Sequence, residues 1–357
     1  MKLIHCSDLH LDSPMGRNFS PDQAKIRGVE LCATFARLVQ FARRERVEAV
    51  LIAGDLFDSG YATVQTIDFV LDQIRNAIDV TFFYLCGNHD SERDSFAGRS
   101  LPDNLKTFGT VWTSHCCGSV VITGVEPDRQ QPENCLAGLR LSPDACNIVM
   151  LHGELSTRPG PDRIPVALLR NRKIDYLALG HLHTYQAGML DDRGIYCYSG
   201  CLEGRGFDEC GEKGFVLLQV DQSGIRREFV PFASRTLYDI TVDITGAETV
   251  TQILTLLRQS GEKIPPKDLV KFVLAGNCTA QTQKDTAFLK KMLEQEFFCV
   301  KIKDESRLEI DRESYEHDVS LRGEFVRLVM ASDKRDEEKQ HIITLGLRAL
   351  SGGEVAL

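Results

Sequence analysis

The sequence predicts an α/β protein with a large domain over residues 1–235 and a smaller α/β domain over residues 236–357. Short apolar strands alternate with amphipathic helical stretches through the first two thirds of the chain. The polar, chemistry-bearing residues of that region stand directly after the strands, where open α/β sheets present ligands. Near residue 235 the pattern gives way to a second run of strands and helices without such residues. A chain of 357 residues also exceeds the size at which a single core usually stops growing.

The elements follow in order. The apolar run "KLIHC" is a first strand that ends at "SDLHLDSP", and "PDQAKIRGVELCATFARLVQFARRE" has the spacing of an amphipathic helix. "VEAVLIAGDLF" is a second strand, Thr63 to Ala77 a second helix, and "VTFFYLCGNHD" a third strand. "SVVITGVE", "NIVMLHGE" and "KIDYLALGHLH" repeat the theme of apolar strand followed by polar residues. "GIYCYSG" is a further strand, and "GFVLLQVDQSGIRREFVPF" reads as a hairpin about "DQSG". Beyond residue 235 come strand "LYDITVDIT", helix "AETVTQILTLLRQS", strand "DLVKFVLAG", helix "DTAFLKKMLEQEF", strand "CVKIKDESRLEI" and two helices, "SLRGEFVRLVMAS" and "DEEKQHIITLGLRAL".

Composition narrows the class. Hydrophobic residues at 43% and charged residues at 26% describe an ordinary globular protein, and no run approaches the ~20 apolar residues that span a bilayer. No secretory leader pattern follows Met1, so a cytoplasmic location is expected. The twelve cysteines are scattered and read as reduced thiols; Cys197, Cys201 and Cys210 lack the paired spacing of a zinc knuckle. A net charge of −9 argues against a surface coated for nucleic acid. It leaves open a site that grips phosphates through local cations or metals.

Five strand ends supply the chemistry: Asp8 and His10, Asp55, Asn88 and His89, His152, and His181 with His183. Any one of these is most simply a structural residue; the set in this order is not. Two divalent ions ~3.5–4 Å apart need a bridging carboxylate and mixed oxygen and nitrogen ligands that leave open positions. Asp55 fits the bridge. On an extended segment the two histidines of "GHLH" project to one side and reach neighbouring ions. Carboxylate, amide and imidazole without thiolate favour manganese, with iron, zinc or magnesium as alternatives.

These five motifs resemble those of the calcineurin-like metallophosphoesterases over residues 1 to about 235. Within that superfamily "IHCSDLHLDSP", "AGDLFD", "CGNHD", "DYLALGHLH" and "YSGCLEGRGFDECGEKG" resemble bacterial DNA repair exonucleases of the SbcD and YhaO type. The resemblance implies a layered α/β sandwich of two mixed sheets flanked by helices, with the second domain as a carboxyl-terminal α/β cap. It assigns Asp8, His10, Asp55 and His183 to one ion, and Asp55, Asn88, His152 and His181 to the other. His89 is then the general acid for the leaving alkoxide, with Asp58 holding its ring.

The implied activity is manganese-dependent hydrolysis of DNA phosphodiesters in repair. The alternatives are a phosphodiesterase or phosphatase on a nucleotide, lipid or phosphoprotein, and a non-catalytic subunit that presents DNA ends to an ATPase. An SbcC-like coiled-coil ATPase and a second copy of the chain are the implied partners besides DNA. Where the phosphoprotein phosphatases carry Arg after the second Asp of the "GD" motif, Ser59 follows Asp58 here, which removes a phosphate clamp and favours a diester. Arg93, Arg99, Arg158, Arg163 and Arg205 are candidate phosphate contacts near the motifs, and Lys267, Lys271, Lys284, Lys290 and Lys291 are candidate polyanion contacts in the smaller domain. The tail "LSGGE" is similar to the ABC ATPase signature, but the chain has no phosphate loop, and Gly352 and Gly353 read as a helix stop. The run "DKRDEEKQ" reads as a solvated helix start.

Overall fold

A computed structural model describes residues 1–16, 19–58, 60–90, 96, 98–126, 133–279, 282–309, 315 and 317–350. Ser59, Arg93, Gly352 and Gly353 lie outside the described residues. The chain forms two compact units, Met1–Leu237 and Tyr238–Leu357.

In the first unit the strands are β1 (Lys2–Cys6), β2 (Ala49–Ala53), β3 (Thr81–Leu85), β4 (Leu105–Thr107), β5 (Thr113–Cys117), β6 (Val120–Gly124) and β7 (Cys146–His152), then β8 (Glu154–Ser156), β9 (Arg163–Pro165), β10 (Tyr176–Gly180), β11 (Gln186–Met189), β12 (Ile195–Tyr198), β13 (Gly214–Asp221) and β14 (Gly224–Pro231). One six-stranded sheet has the order β14-β13-β1-β2-β3-β4, the other β11-β12-β10-β7-β6-β5. In the first, β1 to β4 run parallel, β13 lies antiparallel to β1 and β14 antiparallel to β13; in the second, β6, β7, β10 and β12 run parallel while β5 and β11 close the edges antiparallel. Both sheets are therefore mixed, the layered sandwich that the motifs implied.

The main core lies between the sheets. Leu3, Leu51 and Phe83 of one pack in one cluster with Ile122, Ile148, Met150 and Tyr176 of the other. The alternate residues Val149, Leu151, Leu177 and Leu179 turn to the outer face and form a second cluster with Leu136 and Leu169. Because both faces of the central strands are covered, β2 reads as an unbroken buried run, "AVLIA". The helix Pro21–Arg44 (α1) begins where Ser20 and Gln23 form a capping box ahead of Pro21, and it buries Leu31, Phe35, Leu38 and Val39. The helix Val64–Arg75 (α2) is capped by Thr63. Its entry is tied to the loop after β1, since Asp12 accepts hydrogen bonds from Thr63 N (2.7 Å) and Thr66 Oγ1 (2.9 Å).

His5 on β1 is fully buried, with Nδ1 2.8 Å from the Tyr176 hydroxyl. Burial pushes its pKa from the ordinary 6.5 down to about 3. Below 6.5 the unfolded chain takes up a proton at this ring that the folded chain refuses. His5 thus costs stability as pH falls from 6.5 to about 3, at a limit of ~1.4 kcal/mol per pH unit. Urea unfolding at pH 7, 6 and 5 should show a shallower acid decline in His5→Gln than in the unaltered chain; identical slopes would remove His5 from the account.

The second unit has the strands β15 (Leu237–Asp243), β16 (Leu269–Ala275), β17 (Asn277–Cys278), β18 (Cys299–Asp304) and β19 (Arg307–Leu308). The sheet β15-β16-β18 packs Val270, Phe272 and Val300 on Ile253, Leu257 and Leu289 of the helices Val250–Gly261 and Thr286–Leu293. The segment "CVKIKDESRLEI" is two strands rather than one, because the Asp304 carboxylate accepts Ser306 N (3.0 Å) and turns the chain there. The helices Leu321–Met330 and Asp336–Leu350 close on Val326, Ile343 and Leu347. Lys271, Lys284 and Lys290 are paired with Asp239, Asp304 and Glu294, so these three candidate polyanion contacts already have carboxylate partners. Among the described residues no metal-ligating group lies in this unit, all twelve cysteines carry free thiols, and no helix is long and apolar enough to cross a membrane.

Candidate metal centre

The loops leaving β1, β2, β3, β7 and β10 at their carboxyl ends bring the predicted residues together. The first two run side by side: Asp8 N donates to Gly54 O (3.0 Å), His10 N to Asp55 O (2.9 Å) and Leu11 N to Leu56 O (3.0 Å). Asp8, His10, Asp55 and His181 all have left-handed backbone, with φ of 53°, 44°, 52° and 99°. Such φ values are uncommon for residues with a side chain and persist where surrounding bonds over-determine them. Those bonds are present. His181 N donates to Asp8 Oδ1 (2.9 Å) and His89 N to Asp55 Oδ1 (2.8 Å).

Asp90, which the sequence reading did not single out, ties two of the loops. Its carboxylate accepts Leu56 N (2.6 Å), Gly87 N (2.5 Å) and the Tyr84 hydroxyl (2.6 Å). Two glycines permit the approach of backbone to site: a Cβ on Gly87 would lie 2.1 Å from Asp55 Oδ1, and one on Gly54 2.1 Å from His152 Nδ1.

Two groups form side by side in the interior, Asp8 with His10 and His183, and Asp8 with Asp55 and His152, and a third, His10 with Asp58 and His89, leads to the surface; in each, one ligand atom per residue lies within 4.8 Å of the others. Asp8 belongs to both interior groups. Asp55 also reaches across, with Oδ2 3.5 Å from His10 Nε2 and 3.4 Å from His152 Nε2. Asn88 Oδ1 lies 2.9 Å from His152 Nε2 and 3.0 Å from His181 Nδ1, and His10 Nε2 lies 3.3 Å from His183 Nε2. The expectation of an extended "GHLH" is corrected here. His181 turns at its left-handed φ, so its ring goes to Asn88 and His152 while the His183 ring goes to His10 and Asp8.

The donor set fits divalent cations. His152 Nδ1 is 2.9 Å from Ala53 O and must donate to it, which turns Nε2 toward the Asn88 and Asp55 oxygens to bind either a proton or a cation. Three acceptors facing one another need a shared cation or a proton on the ring. Burial alone would disfavour the imidazolium, but Asp55 and Asp8 outweigh it and hold the His152 pKa up at about 9. Asp55 in turn stays well below the usual carboxylate range despite burial, held by His152 and His10. Asp8, Asp55 and His10 are at most 1% exposed. Buried oxygen and nitrogen ligands without thiolate are the chemistry of manganese, iron, zinc or magnesium.

His89 stands at the rim with its side chain 49% exposed, its Nδ1 3.4 Å from Asp58 Oδ1 and its ring edge-on to His10 at 5.0 Å. Of the candidate arginines, Arg99 pairs with Asp68 and Arg163 lies beside Glu154, while Arg158 is exposed. Arg205 is at the centre: Nη1 donates to Ser13 Oγ (3.2 Å) and Nη2 to Glu209 Oε1 (2.8 Å). Glu209 itself, missed in the sequence reading, lies with Oε1 2.7 Å from His183 Nδ1. Only its place inside the quoted "ECGEKG" stretch, 26 residues after His183, hinted at it. Buried Glu203, bonded to Arg27, Thr34 and Ser234 N, fastens that loop to α1.

The chain is 30% identical over 321 residues to the metallophosphoesterase YhaO of Bacillus subtilis strain 168, covering 83% of this chain and 78% of that protein. It is 24% identical over 294 residues to the DNA double-strand break repair protein Mre11 of Methanosarcina acetivorans, 78% of this chain and 46% of that protein. To Mre11 of Methanosarcina mazei it is 23% identical over 317 residues, 85% of this chain and 50% of that one, so it spans about half the length of the two Mre11 proteins. Residues 1–185 match the calcineurin-like phosphoesterase family, and the chain belongs to that metallophosphoesterase family.

Proposed function

We propose that the chain is a metal-dependent DNA phosphodiesterase, a nuclease of DNA repair, with a dinuclear site for divalent ions, manganese foremost. The observation that carries this reading is the convergence of Asp8, His10, Asp55, Asn88, His152, His181 and His183, whose side-chain oxygens and ring nitrogens face one another across as little as 2.9 Å. Ions bound there supply Lewis-acid activation of water and of the phosphoryl oxygens. The protein's own residues do the rest. Asp8 and Asp55 link the two groups, Asn88 and the histidines complete them, and His89 at the rim gives a proton to the leaving alkoxide, with Asp58 beside its Nδ1. A diester suits the site because Ser59 stands where the phosphoprotein phosphatases carry the Arg that clamps a phosphomonoester.

DNA as substrate, and an SbcC-like coiled-coil ATPase and a second copy of the chain as partners, rest on the motif resemblance and on the Mre11 relatives, which are named for double-strand break repair. The test is an assay of chelator-stripped protein on end-labelled duplex, single strands and bis(nitrophenyl) phosphate, with manganese, magnesium or no metal. Manganese-dependent cleavage of DNA and of the aryl diester is expected. Hydrolysis of small esters with DNA left intact would make it a nucleotide, lipid or phosphoprotein esterase, and no hydrolysis at all would leave a DNA-end-binding subunit.

A further inference from the structure

We propose that Glu209 is a positioning residue of the metal centre: by accepting the Nδ1 proton of His183 it fixes the tautomer whose Nε2 lone pair faces Asp8 and His10. This inference rests on the metal-centre reading above.

Glu209 is 6% exposed and both its oxygens are occupied. Oε1 receives Arg205 Nη2 (2.8 Å) and faces His183 Nδ1 (2.7 Å); Oε2 receives the Arg205 backbone N (2.7 Å). Arg205 Nη2 and His183 Nδ1 are 3.2 Å apart, and a guanidinium only donates. The carboxylate oxygen can only accept, so the shorter contact, 2.7 Å to Glu209, places the His183 proton on Nδ1 against the 3.2 Å approach of the Arg205 guanidinium, which could only donate to that nitrogen. The opposite nitrogen, Nε2, is then bare, 3.3 Å from His10 Nε2 and 3.8 Å from Asp8 Oδ1. Lys213 Nζ donates to His183 O (2.8 Å), which anchors the backbone of the same residue.

His152 is set by a parallel device, with the Ala53 carbonyl in place of the carboxylate. A ligating histidine whose far nitrogen is held in this way has its ring direction and basicity fixed before a metal arrives, and losing such a partner typically lowers metal affinity ~10–100-fold. Glu209→Gln keeps the shape but supplies one acceptor where two are needed. Its amide NH₂ must face either the His183 ring, favouring the wrong tautomer, or the Arg205 donors.

The experiment uses the full chain, stripped with chelator and titrated calorimetrically with Mn²⁺. The unaltered protein should bind two ions. Glu209→Gln should bind one of them ~10–100-fold more weakly. In a His183→Gln background the same change should weaken binding no further, whereas a purely structural Glu209 would add its own loss there. Where the variants do not fold, nitrogen-15 spectra of the unaltered, metal-free protein decide, with the His183 ring expected as the Nδ1–H tautomer. Undiminished Mn²⁺ binding by Glu209→Gln, a further loss in the double variant, or an Nε2–H tautomer of His183 would each overturn the inference. Absence of Mn²⁺ binding by the unaltered chain would instead remove the metal-centre reading itself.

Discussion

Asp55→Asn should release both metal ions together and take diester hydrolysis to the metal-free background. Its Oδ2 stands 3.5 Å from His10 Nε2 and 3.4 Å from His152 Nε2, one from each ligand group, and it is nearly inaccessible to water. An amide keeps the acceptor for His89 N but removes the charge that the two proposed ions would share in a buried site, where no water replaces it. Asp8→Asn provides the comparison, since Asp8 also belongs to both interior groups. Metal analysis after gel filtration in Mn²⁺ checks the outcome. Two ions per chain with undiminished turnover in Asp55→Asn would refute the bridging role.

His89→Ala should behave in the opposite manner, retaining both ions while losing ~10²–10⁴-fold in the hydrolysis of DNA, the usual contribution of a positioned general acid. The ring lies at the rim, half exposed, and its nearest acidic neighbour is Asp58 at 3.4 Å rather than the buried carboxylates. The loss should shrink on a nitrophenyl diester, whose leaving group departs without a proton. An equal loss on both substrates would move His89 from proton donor to phosphate positioning.

Much of the fold was legible because strand and helix periods differ. α1 begins at Pro21, where the sequence pattern put it, and α2 starts one residue after its predicted Thr63, which is its cap. Short edge strands such as β4, β5 and β11 carry too few apolar residues to announce themselves. The residues of the site were legible because each follows a parallel strand at its carboxyl end. What was not legible is how they meet. His181 was read on a period-two segment, yet its left-handed φ turns the ring away from that of His183. Asp90 and Glu209 act through loops far from their own neighbours in sequence, and an acidic residue in a turn has no local mark that it faces an imidazole across the fold.

The left-handed residues at the strand ends make the centre a weak point of the folded chain. Asp8, His10, Asp55 and His181 each hold a conformation that costs ~1–3 kcal/mol, and the buried Asp8 and Asp55 carboxylates repel one another. A chain selected for stability alone would put glycine or asparagine there and leave the acids out. Divalent ions bound to the folded form alone would return part of that cost, by an amount that grows with their concentration. If the proposed ions bind there, the melting temperature should rise with the concentration of free Mn²⁺, and a melting temperature indifferent to metal and chelator would refute that coupling.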